Sequence, residues 1–143
     1  MTDLSKGIIE IEGFEISAST TSNDIEENLK DACAFSVKSK NGRCEIFVFK
    51  KVFILDNCFD IDITFIGQKL SDIRLTSNYS ANFSYEERFV ADCEWLKSIL
   101  GEPTETNDDG NSYYFENIHL YSFIQRDLSR NPAETFIVCK YGR

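Results

Sequence analysis

The side chains that do chemistry are unevenly supplied in this chain of 143 residues, with 24 Asp and Glu, five cysteines and one histidine. Asp60 and Asp62 stand two apart in an alternating run, Cys58-Phe59-Asp60-Ile61-Asp62-Ile63-Thr64-Phe65, so on a strand their carboxylates share a face. Such a pair offers hard oxygen ligands to Mg²⁺, with Glu45 or Asp72 as a third. The wet face of a sheet generates the same spacing, with Lys51, Lys69 or Arg74 as cross-strand partners, and this is the simpler account. Glu105-x-Asn107-x-Asp109-Gly110 followed by Glu116 matches several positions of a calcium-binding loop. Against it, Glu105 stands where a shorter Asp is wanted, and Gly101 and Pro103 stop the helix that should lead in. A turn at Asp109-Gly110 explains the pattern better. With His119 as the only histidine and no nucleophile signature, hydrolase triads and multi-histidine metal sites are excluded. His119 itself, in Asn117-Ile118-His119-Leu120, reads as a structural strand residue, and no motif calls for a cofactor.

The net charge of -9 argues against direct nucleic-acid binding, which needs clustered Lys and Arg; the densest positives are Lys50-Lys51 and Lys38/Lys40. An acidic surface suits solubility or docking to a basic protein. Cys33, Cys44, Cys58, Cys93 and Cys139 show no zinc spacing, and an odd, dispersed set on apolar-facing positions reads as reduced core cysteine. The N-terminal MTDLSKG has no apolar core of a signal peptide, and no apolar run reaches the length of a membrane span. The expectation is a cytoplasmic location with no membrane contact.

The elements that must position these groups follow from periodicity. A chain of this size, with 42% hydrophobic residues and 12 Phe, forms one domain over 1–143. Ile8 to Ser17 reads as a short hairpin turning at Glu12-Gly13. A helix is expected over 22–33, capped by Thr21 or Ser22 and acidic in its first turn. Asn41-Gly42 marks a hairpin between 35–38 and 43–49. The second of these strands is apolar on both sides, which places it centrally or beneath a helix. The run 52–55 and the hairpin 58–75 continue a meander. Ser84-x-x-Glu87 is a capping box for a helix over 84–100, closed by Gly101 and Pro103. Residues 102–111 read as an acidic loop, and 113–123 and 135–141 as a final strand pair joined by a loop at 125–131. The order ββ-α-ββββ(β)-α-ββ predicts an α+β fold: a single antiparallel meander sheet with two α-helices packed on one face.

Aromatic residues gather beside the acidic loops: Tyr79, Phe83 and Tyr85, then Tyr113, Tyr114 and Phe115. Aromatics next to acids are what a protein-binding surface uses. The layout, with Thr20-Thr21-Ser22-Asn23-Asp24 after an early strand, Phe65-Ile66-Gly67-Gln68-Lys69-Leu70 in a hairpin, Trp95 to Pro103 closing a helix and a last strand ending near Tyr141, resembles small bacterial α+β proteins. Several compact acidic proteins of that kind serve as immunity proteins of contact-dependent or polymorphic toxin systems. That resemblance implies a non-enzymatic protein that neutralises a toxin by docking, and it transfers no functional residue. The partner-binding residues expected here are Asp60, Asp62, Tyr79, Glu102, Glu105, Asp108, Asp109, Tyr113 and Tyr114, facing a basic protein partner. Two alternatives stand: a small-ligand module whose sheet and helix 84–100 enclose an apolar pocket, and a carboxylate-metal hydrolase.

Overall fold

Short-range signals build most elements where the sequence places them. The computed structural model describes residues 1–79, 82–125 and 134–142. After a 3-10 turn at Leu4–Lys6 come β1 (Ile9–Ile11) and β2 (Phe14–Ile16). Their turn residues Glu12 and Gly13 have φ of 49° and 80°, the paired left-handed geometry that matches strand twist. Helix α1 (Ser22–Leu29) is capped by Thr21, whose hydroxyl accepts the Asp24 amide while Asp24 accepts the Thr21 amide. It ends four residues before the expected Cys33, because the Leu29 carbonyl takes the amides of both Ala32 and Cys33 and closes the last turn. Helix α2 (Tyr85–Leu100) carries the reciprocal Ser84/Glu87 box, and the Gly101 amide closes its C-terminus on Lys97.

The remaining strands are β3 (Phe35–Lys38), β4 (Cys44–Ile54), β5 (Asn57–Ile66), β6 (Lys69–Ser77), β7 (Glu105–Asn107), β8 (Gly110–Tyr114), β9 (Ile118–Gln125) and β10 (Glu134–Tyr141). They form one eight-stranded sheet ordered β3-β4-β5-β6-β10-β9-β8-β7, with every pairing antiparallel. The α+β class and the antiparallel pairing agree with the sequence reading. Two parts of it do not: β1 and β2 make a separate two-stranded sheet, and the large sheet is not a plain meander. Helix α2 carries the chain past the centre, β7 to β9 return from the far edge, and β10 fills the gap between β6 and β9. Phe136 to Cys139 are four apolar residues in a row that are all buried, as suits a central strand flanked by β6 and β9. The expected loop 102–111 also contains β7, paired with β8. The expected loop over 125–131 falls mostly outside the described residues.

A bulge in β4 keeps its apolar residues on the covered side past Phe49. Phe47 and Phe49 point to the core, then the register shifts, and Val52 and Ile54 continue on that side. The extra residue is Lys51, with φ of 53°, whose amide donates to Asp60 Oδ1 at 3.0 Å. Without that one-residue insertion the second half of β4 would turn its apolar set to the wrong face.

Candidate docking face

Two adjacent rows of side chains show how the sheet divides. Following the register strand by strand, Ser36, Phe47, Ile63, Ile73, Cys139, Leu120 and Tyr113 form one row on one face. Ile25 and Leu29 of α1, Leu96 of α2 and Ile9, Ile11 and Ile16 of the small hairpin join the apolar members of that row in a single core. One residue along, Phe35, Val48, Asp62, Arg74, Val138, Tyr121, Ser112 and Glu105 form a row across all eight strands on the other face. Among the described residues no helix or strand lies over this second face. Its central aliphatics Val48 and Val138 are nonetheless buried, at 7% and 5% exposure, and both lie outside the main core.

The open face is aromatic and charged. Tyr114 stacks on His119 at 4.4 Å and 14°, and His119 lies against Tyr121 at 4.8 Å. Phe123 packs on Phe136 at 5.4 Å. Asp72, Arg74, Tyr121, Phe136 and Lys140 border a depression of about 290 Å³. Asp62 and Arg74 are direct cross-strand neighbours, yet the guanidinium lies over the Phe136 ring, 3.9 Å from its centroid. Asp62 therefore has neither an ion pair nor a hydrogen bond among the described residues. Partial burial pushes its carboxyl above the usual carboxylate range, against the pull of Arg74 and Lys50. A half-dry carboxylate without a partner is a group that gains from an incoming cation.

The expected site residues separate on the structure. Asp62, Glu105 and Tyr114 share the open face, and Tyr114 donates its hydroxyl to Glu105 at 3.3 Å. Asp108 and Asp109 make the β7–β8 turn at its rim, where the Asn107 side chain accepts the Asp109 amide at 2.8 Å. The turn leads into a close approach to β9: a Cβ on Gly110 would lie 2.0 Å from the Ser122 carbonyl oxygen. Glu102 is exposed just after α2. Asp60 is already occupied. Burial alone would raise its pKa, but bonds from Asn78 and the Lys51 amide together with the Lys50 charge hold it below the carboxylate range. Its role is to clamp the bulge. Tyr113 is a correction: it is 2% exposed on the covered face and donates to the Gly101 carbonyl at 2.8 Å, so it fastens the end of α2 and meets no partner. Tyr79 is half-buried, stacked on Phe83 and bonded by Asn57 at 3.3 Å. Among the described residues no three His, Cys, Asp or Glu side chains gather as metal ligands, and no helix is long and apolar enough to cross a membrane.

Sequence reasoning missed Asp92. It is fully buried on the sheet-facing side of α2, accepts a hydrogen bond from Ser77 Oγ on Oδ1, and its Oδ2 has no partner among the described residues. Burial raises its pKa to about 6, with Ser77, Tyr79 and Arg88 pulling it back. The available signal was its position four residues before Leu96, on the same helical stripe as a core residue. Beside it Cys93 Sγ meets Ser122 Oγ at 3.2 Å, so polar contacts and Leu96 fill the seam between α2 and the sheet. Comparison with family models, curated proteins and solved structures finds no match to this chain.

Proposed function

We propose that this chain is a non-enzymatic binding protein that docks a basic protein partner on the open face of its sheet, in the manner of an immunity protein that neutralises a toxin. The observation that carries the reading is the half-buried carboxylate of Asp62, which has no ion pair or hydrogen bond among the described residues, on an uncovered face whose aromatic residues lie on β8, β9 and β10. An aromatic surface supplies contact area at low entropic cost, and a partly desolvated acid on the same face supplies a strong point of attraction for one Lys or Arg. The acids at the rim, Glu105, Asp108 and Asp109, and the net charge of -9 favour rapid encounter with a positive partner.

The test is co-expression with the product of the adjacent gene, scored by co-purification and by relief of growth arrest. The expected result is a stable complex that Asp62→Lys and Tyr121→Ser each weaken by about tenfold or more. A complex indifferent to both variants, or no complex at all, overturns the reading. Because a cation stabilises the ionised form, docking tightens as pH rises through the raised titration of Asp62, and Asp62→Asn removes that pH dependence.

A further inference from the structure

The edge strand β3 presents a second feature that the open face does not use. All four of its residues are exposed, including Phe35 at 52% and Val37 at 54%. The Ser39 amide bonds the Cys44 carbonyl at 2.8 Å, and antiparallel pairing alternates from there. Val37 and Phe35 thus turn their backbone groups toward β4, and Ser36 and Lys38 turn theirs outward at the edge of the sheet. An edge that is apolar on one side and open along its backbone is a template for another strand.

Beside it runs a groove of about 540 Å³ between α1 and the sheet. Ile25 and Phe47 form its floor, Ser36 its β3 side, and Glu26, Glu27 and Lys30 its helical rim. Lys38, the positive residue of the strand itself, leans 3.9 Å from Glu45, which leaves Glu26 and Glu27 in excess over Lys30 on the rim. A helix beside a free edge strand is the geometry in which a peptide adds to a sheet, its main chain bonding the edge and alternate side chains entering the groove.

We infer that β3 accepts an extended segment of a protein partner as a ninth strand, with Lys or Arg side chains toward Glu26 and Glu27 and apolar ones beside Phe35 and Val37. The two sides of the edge demand different residues, so the pattern recognised is an alternation of basic and apolar positions.

The probe is the acetylated and amidated hexapeptide Lys-Val-Lys-Val-Lys-Val, titrated into ¹⁵N-labelled protein. The expected result is saturable shift changes at residues 25–38 and amide exchange at Ser36 and Lys38 slowed about tenfold. The same peptide N-methylated on alternate backbone nitrogens binds poorly. Ser36→Pro removes one outward donor without touching the β3–β4 ladder and weakens binding, as does the double variant Glu26→Lys/Glu27→Lys, which sits on an exposed helix face and keeps the strand intact. Tyr121→Ser leaves peptide binding unchanged, which separates this site from the open face. The inference is overturned if the peptide gives no saturable change, if the N-methylated peptide binds equally well, or if unlabelled protein alone reproduces the shifts.

Discussion

The two faces of one sheet, built from the same strands one residue out of phase, have opposite fates. Phe49, Ile61, Ile63 and Ile73 on the covered side are fully buried beneath α1, α2 and the small hairpin. On the other side Asp62, Arg74 and Tyr121 are only partly buried, and their contacts are to one another's neighbours along the sheet, as when Arg74 lies on Phe136. The difference teaches where stability and recognition reside: the covered face is where burial of apolar area holds the fold, and the open face holds groups whose best partners lie outside the chain.

That division is most sharply tested on the covered side. Phe49→Ala removes a fully buried ring and costs about 3–5 kcal/mol in urea unfolding. Next in size is the buried acid. Between the ordinary carboxylate pKa of 3.8 and about 6, folded Asp92 keeps a proton that the unfolded chain has released. Stability therefore falls as pH rises through that window, by about 3 kcal/mol for two pH units, and stays at the lower level above it. Asp92→Asn keeps an acceptor for Ser77 and abolishes this decline, which unfolding curves between pH 4 and pH 7 will show. Ser84→Ala, which breaks the capping box of α2, costs about 1 kcal/mol. Smallest is Tyr121→Ser on the open face, expected to change stability by about 0.5 kcal/mol or less while weakening partner docking. If Tyr121→Ser destabilises as much as Phe49→Ala, the contrast between the faces fails.

Much of the fold was legible because its signals are short-range. Ser84-x-x-Glu87 with Gly101 bounds α2, Asn41-Gly42 joins β3 to β4, and Phe59, Ile61 and Ile63 declare a half-buried strand. The strand β7 was hidden because Glu105-Thr106-Asn107 is polar and exposed throughout, an edge strand held by its backbone pairing to β8 with no buried face to reveal it. The candidate site was legible only in part. Asp60 and Asp62 look equivalent in sequence, and the bulge at Lys51 makes one a clamp and leaves the other without an ion pair or hydrogen bond among the described residues. Tyr113 and Tyr114 are adjacent and equally aromatic, but strand alternation sends the first into the core and the second to the open face.

By itself the sequence determined the α+β class, the caps, the tight turns and an acidic chain rich in aromatics, because each depends on residues within a few positions of one another. The tertiary structure alone decided that β10 enters the sheet between β6 and β9, which face the two helices cover, and that Asp92 is buried while Asp62 is left half-dry, with no ion pair or hydrogen bond among the described residues. Those outcomes depend on which distant elements come to lie over which side of the sheet, and alternation with a period of two marks two faces without saying which one will be covered.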